Sequence, residues 1–187
     1  TYRNYEYVIV ENNSTDPETF EYYKKLEAEN KKVHVVYWDG VFNYSAINNY
    51  GASFAKGEYF LLLNNDTIVL PNSIFWLRMG LYEENRIGAT GSMSNSVING
   101  QRIEAKLAGV EEYITYGMAM NIPMENAMEK KTWLVGFAML LKRKALDGVG
   151  LLDERFSPGQ NEDVDLCIRL NLAGGQMRLC PNSFIVH

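Results

Sequence analysis

Residues Tyr59 to Leu63 read Tyr-Phe-Leu-Leu-Leu with no polar interruption, and Asn64-Asn65-Asp66-Thr67 follow with no apolar one. This junction constrains the fold more than any other feature of the chain. So short an apolar run, bounded by turn-forming residues, reads as an interior parallel strand covered on both faces. Two-sided cover is what flanking helices give a parallel sheet. The neighbouring segments agree. Tyr5–Glu11 is β-branched and aromatic and predicts a strand, broken by Asn12-Asn13-Ser14-Thr15-Asp16-Pro17. Asp16 then reads as an N-cap and Pro17 as a first-turn proline, opening a helix to about Asn30. Phe20, Tyr23 and Leu26 share one face of it, and Glu21 and Lys25 form an i,i+4 pair. Val33–Tyr37 predicts a strand, Ser45 caps a helix reaching Ala55, Pro71 starts a helix to about Glu84, and Ile87–Ser92 predicts another strand.

Beyond this alternating half the pattern loosens. Asn95 to Lys131 has no clear period and holds Met118, Met120, Met124 and Met128. These methionines read either as an adaptable contact surface or as plugs of an irregular core. Thr132–Lys142 predicts a strand, Arg143–Val149 a short helix, and Glu162–Ala173 a helix stopped by Gly174-Gly175. Gln176–Cys180 and Phe184–His187 read as two short extended segments. The whole predicts an α/β fold, a mostly parallel, Rossmann-like sheet with helices on both faces. We expect one domain, 1–187.

Composition narrows the function. The 187 residues are 47% hydrophobic and 22% charged, a globular balance, with a formal net charge of −5. No Lys/Arg stripe exists to hold nucleic acid. The longest stretch without strongly polar residues, Trp133–Leu141, is far below the ~20 residues of a membrane helix. The two cysteines, Cys167 and Cys180, read as buried free thiols in a reducing compartment rather than as the one bridge they could form. Phosphate-loop, serine-elbow and zinc-type spacings are missing from the sequence.

Four polar groups remain. In parallel sheets ligands gather at the carboxyl ends of strands, where Glu11 and Asp66 both fall. Asn64-Asn65-Asp66 suits a divalent cation held through one carboxylate, or simply a turn. Glu162-Asp163 suits a helix cap, or a carboxylate that takes a proton from an attacking hydroxyl. Glu11 to Asp16 suits nucleoside binding, or an ordinary βα turn. His187 suits a metal or phosphate contact, or an incidental site, and His34 reads as structural.

The order of these pieces is more specific than any one of them. Val-Ile-Val-Glu11-Asn-Asn-Ser-Thr-Asp16 is followed by Phe42-Asn43-Tyr-Ser-Ala-Ile-Asn-Asn49-Tyr-Gly51, then Lys-Gly57-Glu-Tyr-Phe-Leu-Leu-Leu-Asn64-Asn-Asp66. Trp133-Leu-Val-Gly136-Phe, Gly150-Leu-Leu-Asp153-Glu-Arg-Phe156, Glu162-Asp-Val-Asp and Pro181–His187 complete the series. Over nearly its whole length the chain resembles the family 2 glycosyltransferases of GT-A fold.

The resemblance implies a nucleotide-sugar-binding half, 1–92, an acceptor-side half, 93–187, and roles for single residues. Glu11, with Asn13, Asp16 and Asn49, would sit on the nucleotide. Asn64-Asn65-Asp66 would be the Asp-x-Asp motif, with Asp66 on a Mn²⁺ or Mg²⁺ ion and His187 beside it. Asp163, with Glu162, would be the general base, and Trp133 and Gly136 would line the acceptor side. The expected reaction is inverting transfer of a hexosyl or deoxyhexosyl unit from a nucleoside-diphosphate sugar, UDP or dTDP, to a saccharide or lipid-linked saccharide. Its setting would be cytoplasmic surface-polysaccharide assembly, at the membrane's inner face where the acceptor is lipid-linked. The chain departs from the family pattern at Asn64 (usually Asp), Glu11 (usually Asp) and Asn48 (often Arg). The family's opening strand, an apolar run ending in Pro-x-Tyr-Asn, would precede Thr1, so Thr1 reads as a cut end. Two other readings remain, a sugar-phosphate nucleotidylyltransferase and a non-catalytic carbohydrate- or nucleotide-binding domain.

Overall fold

A computed structural model describes residues 2–124 and 128–187. Thr1 and part of the Asn95–Lys131 connection lie outside these described residues. In chain order the elements are β1 (Tyr7–Glu11), α1 (Pro17–Glu29), β2 (Val33–Tyr37), α2 (Tyr44–Phe54), β3 (Tyr59–Leu63), β4 (Ile68–Val69) and α3 (Ser73–Gly80). Then come β5 (Ile87–Met93), α4 (Val110–Met120), β6 (Glu129–Lys131), β7 (Ala138–Lys142), α5 (Arg143–Leu146), α6 (Glu162–Leu172) and β8 (Gln176–Val186). They gather into two compact units. One joins Arg3–Gly57 to Leu151–Glu162, and the other holds Glu58–Gly150 and Asp163–His187, with Tyr2.

The first unit is a βαβ crossover with a second helix. Strands β1 and β2 pair in parallel, Tyr7 opposite Val33 through Glu11 opposite Tyr37. Helix α1 starts as its sequence predicts, with Asp16 accepting from the Glu18 N–H at 3.0 Å and Pro17 in the first turn. Helix α2 is capped by Asn43, whose Oδ1 accepts from Ala46 N at 3.0 Å. The expected cap, Ser45, instead lies buried in the first turn. Gly51 brings α2 close to β1, since a Cβ there would stand 2.7 Å from Val10 Cγ2. The returning segment is tied on by Asn49, whose Nδ2 donates to Leu152 O (2.8 Å) and whose Oδ1 accepts from Leu152 N (3.1 Å).

The second unit is a sheet ordered β3-β7-β5-β8-β4, with β6 also on β8. Among its described strand pairs β5–β8 is parallel, while β3–β7, β5–β7, β4–β8 and β6–β8 are antiparallel. The α/β class stands, but the expected mostly parallel sheet is mixed, and β3 sits at one end of this order. A continuous apolar run reports cover on two faces, and an antiparallel strand under such cover is equally apolar. Leu77, Leu81, Ile87, Phe137, Leu140 and Ile185 form its main core. Leu70, Ile103, Phe184 and Val186 form a second cluster under Tyr113, Ile114, Tyr116 and Met120.

Three further boundaries differ from expectation. Only Ala138–Lys142 of the expected Thr132–Lys142 strand is regular, because side chains bind the backbone ahead of it. The two C-terminal segments are one strand, β8, whose register shifts between Ser92/Cys180 and Met93/Phe184 and so absorbs Pro181. Helix α4 lies inside the stretch that has no legible period. The four methionines divide: Met120 and Met128 pack on the two clusters, Met124 is half-buried and Met118 is exposed. Both cysteines are buried free thiols, and burial pushes the Cys167 thiol up to about 11.

Candidate functional site

In the larger unit, β3 delivers its polar end to a tight turn. Asn64 N donates to Phe137 O (2.9 Å), and Thr67 Oγ1 closes the Asn65-Asp66 turn on Asn64 O (2.7 Å). Strand β4 then returns against β8, Ile68 opposite Val186. His187, the next residue of the chain, therefore arrives beside Asp66, with Nε2 3.4 Å from Asp66 Oδ1. The Asp66 side chain is 69% exposed and that of His187 20%. Asn64 Nδ2 also lies 3.4 Å from Nε2.

The imidazole is held from behind. Its Nδ1 is 2.8 Å from Ser96 O. A carbonyl only accepts, so Nδ1 carries a proton, and in the neutral ring Nε2 presents a lone pair. The Asn95 carboxamide grips the His187 backbone on both sides, Nδ2 donating to O (2.6 Å) and Oδ1 accepting from N (2.9 Å). The Phe137 ring stacks on the imidazole.

This arrangement fits a divalent cation. A carboxylate oxygen and an imidazole lone pair facing each other at 3.4 Å are two acceptors, and a shared cation makes such a pair favourable. No cluster of three or more His, Cys, Asp or Glu able to hold a metal exists among the described residues. Two protein ligands are the usual complement where phosphate oxygens and water fill the other positions.

At the start of α6, both oxygens of Asp163 are oriented, Oδ1 by Val164 N (2.7 Å) and Oδ2 by Gly136 N (2.9 Å). Gly136 adjoins Phe137, which carries the His187 stack and accepts from Asn64 N. One dipeptide thus connects the Asp163 carboxylate to the Asp66 turn through short contacts. Glu162 belongs to the other unit. It is 8% exposed, and its buried Oε2 has no hydrogen-bond partner among the described residues. Trp133 is half-buried, and its carbonyl accepts from Asn99 Nδ2 (2.7 Å). Fully buried Gln101 fixes the same segment, accepting from Val135 N (2.8 Å) and donating to Ser92 O (3.0 Å).

In the smaller unit, the residues expected on the nucleotide brace their own loops. Glu11 is 4% exposed. Its Oε1 accepts from Ser14 N (2.5 Å), and its Oε2 accepts from Ser14 Oγ (2.8 Å) and Tyr23 Oη (2.9 Å). Burial works to raise its pKa, but the two Ser14 bonds and the Tyr23 bond outweigh burial and hold the carboxyl below the ordinary range. The Tyr23 phenol is pushed up to about 12 by burial and by its bond to Glu11. Asn12 Nδ2 reaches Trp38 O and Gly40 O (both 3.0 Å), and Asn13, at φ 58°, donates to Gly40 O (3.1 Å). Asp16 caps α1, and Asn49 holds Leu152 and Glu154 Oε1 (3.0 Å).

Sequence reasoning passed over Asn95, Ser96, Gln101 and Phe137. Asn95 and Ser96 follow β5 at its carboxyl end, the same placement that singles out Asn64 and Asp66 after β3.

The family model described as glycosyl transferase family 2 matches residues 1–149. The O-antigen biosynthesis protein RfbC of Myxococcus xanthus is 29% identical over 196 residues, covering 100% of this chain and 15% of RfbC. Among solved structures, GalNAc-T7 with UDP, GalNAc and Mn²⁺ is similar at TM-score 0.75 and 16% identity, covering 97% of this chain and 37% of that one. The mannosyltransferase PcManGT from Pyrobaculum calidifontis, in complex with GDP-Man and Mn²⁺, is similar at TM-score 0.62 and 18% identity, covering 97% and 47%. The chain therefore spans a minor part of each relative. At these identities the structural likeness shows the fold, which is GT-A.

Proposed function

The chain belongs to glycosyl transferase family 2, and on that footing we propose that residues 1–187 act as the catalytic domain of an inverting glycosyltransferase. It moves a hexosyl or deoxyhexosyl unit from a nucleoside-diphosphate sugar, UDP or dTDP, to a hydroxyl of a saccharide or lipid-linked saccharide. The observation that carries this reading is the facing pair of Asp66 Oδ1 and His187 Nε2 at 3.4 Å. Two solved structures of the same fold contain Mn²⁺ together with UDP or GDP-Man.

Asp66 and His187 would hold the divalent cation, which when bound offsets charge building on the leaving diphosphate. Asn64 and Asn65 keep this turn on the donor side. Asp163 takes the proton of the attacking hydroxyl, its carboxylate aimed by the Gly136 and Val164 N–H groups. The hydroxyl oxygen bonds to the anomeric carbon as the bond from that carbon to the diphosphate oxygen breaks on the opposite face, which inverts the centre. The Trp133–Gly136 segment receives the acceptor, and Glu162, whose buried Oε2 has no hydrogen-bond partner among the described residues, is the second residue of the catalytic acidic pair. The loop Asn12–Asp16, braced by Glu11, takes the nucleoside, with Asn13, Asp16 and Asn49 fixing its walls. RfbC's name places that relative in O-antigen biosynthesis, and a cytoplasmic role in polysaccharide assembly, at the membrane's inner face, suits this chain. No helix among the described residues is long and apolar enough to cross a membrane.

Incubation with UDP-, dTDP- and GDP-sugars and Mn²⁺ tests the reading. Slow release of nucleoside diphosphate from one donor, lost in Asp66→Ala, is the expected result. Pyrophosphate release in a parallel incubation with a nucleoside triphosphate and a sugar 1-phosphate would instead indicate a nucleotidylyltransferase, and turnover of neither set a binding domain.

A further inference from the structure

The β8 strand extends to Val186, one residue before His187. The peptide of His187 is taken by one side chain, Asn95. A carboxamide carries a donor and an acceptor in one plane, so it can satisfy the N–H and the C=O of a single residue at once. Asn95 does so at 2.9 Å and 2.6 Å. The following residue, Ser96, offers its carbonyl to Nδ1 at 2.8 Å. Backbone position and ring tautomer are thus set from adjacent residues of one segment.

We propose that Asn95 is a positioning residue for His187: its clamp on the His187 peptide seats Nδ1–H on the Ser96 carbonyl and so directs the Nε2 lone pair at Asp66. The inference deepens the cation reading above and rests on it. Partners that orient a metal-binding histidine from behind are worth about 10–100-fold in metal affinity. Asn95 grips the backbone rather than the ring, and the lower end, about 10-fold, is the expected loss.

The test uses two readouts on the full chain. With ¹⁵N-labelled histidine, the ring nitrogens report the tautomer directly, and only His34 and His187 contribute. Mn²⁺ affinity, with UDP and with dTDP, is read from the free-ion paramagnetic resonance signal. The variants are Asn95→Ala, His187→Ala, Asp66→Ala and the Asn95→Ala/His187→Ala double. Asn95→Ser, which keeps a small polar group, stands in if Asn95→Ala fails to fold. The expected results are loss of the Nδ1–H bias in Asn95→Ala, an about 10-fold fall in Mn²⁺ affinity, and no further fall in the double variant than in His187→Ala. An unchanged tautomer in Asn95→Ala overturns the positioning role, whatever the metal does. Additive losses in the double variant overturn it too, because Asn95 would then act elsewhere. If the tautomer shifts but Asp66→Ala and His187→Ala bind Mn²⁺ as the unsubstituted chain does, the cation reading has failed and this inference fails with it.

Discussion

The ring of Phe137 lies 5.0 Å from the imidazole of His187 and only 14° from parallel to it. Phe137 is 2% exposed, and its carbonyl accepts from Asn64 N at 2.9 Å. A core side chain therefore forms the floor of the Asp66–His187 pair, coupling packing to the site. Phe137→Ala is expected to cost about 3–5 kcal/mol in urea unfolding. Phe137→Leu should cost less, yet still lose the about 0.5–1.5 kcal/mol that a stacked ring adds beyond its buried area. A Phe137→Leu loss no larger than its smaller buried apolar area explains would mean that the stack contributes nothing.

Asp163→Asn keeps the shape of the side chain but can no longer take a proton, and it presents an amide N–H to one of two backbone N–H groups. Turnover should fall by about 10²–10⁴-fold, with donor affinity unchanged. Steady-state kinetics with the cognate donor separates these two terms. A rise in donor KM at constant kcat would place Asp163 in binding instead.

The bond between Glu11 and Tyr23 ties stability to pH at both ends. The Glu11 carboxyl is held below its ordinary value of 4.5, so its contribution is present above that pH and is lost as pH falls through the depressed folded value. The Tyr23 phenol is raised from 10.0 to about 12, so its contribution is intact below 10 and is lost as pH rises toward 12. Denaturant unfolding at pH 9 to 12 should show that decline. Tyr23→Phe should lessen it in that window, at a cost of about 1–3 kcal/mol near neutrality for the lost hydrogen bond to the Glu11 carboxylate, which keeps Ser14 Oγ on the same oxygen. A decline that persists unchanged in Tyr23→Phe would contradict the assignment.

Helix α4 meets β8 across Gly117, where a Cβ would stand 2.3 Å from Leu70 Cδ1 and 2.4 Å from Phe184 Cδ1. Gly117→Ala gains helix propensity, but the overpacked contact should win and destabilise the fold by about 1–3 kcal/mol. Equilibrium unfolding decides the sign, and a more stable variant would refute the close contact.

These particulars mark how far the sequence is legible. Segments that announce themselves chemically appear where expected: Asp16-Pro17 starts α1, and Val33–Tyr37 and Tyr59–Leu63 are strands at their predicted bounds. Strand direction was not legible, because the apolar run of β3 reflects cover rather than the antiparallel partner β7. Helix α4 packs through Tyr113, Ile114, Tyr116 and Met120 around Gly117, a face at helical spacing that the reading of its stretch as aperiodic passed over. At the site, Asp66 and His187 are readable one at a time, yet their approach depends on β4 pairing with β8, a relation between positions 123 residues apart for Asn64 and His187. Asn95 and Gln101 act on backbone groups far away in sequence, and nothing in their local context announces that.

The central claim is a donor site completed by a divalent cation on Asp66 and His187. Thermal unfolding against UDP, dTDP, GDP and CDP, each with and without Mn²⁺, on the unsubstituted chain and Asp66→Ala, tests it most directly. A nucleotide at ~100 times its dissociation constant adds about 2.7 kcal/mol, a rise of several degrees at this size. Such a rise is expected with UDP or dTDP, dependent on Mn²⁺ and lost in Asp66→Ala. A rise that is the same without Mn²⁺, or that survives Asp66→Ala, would contradict the claim.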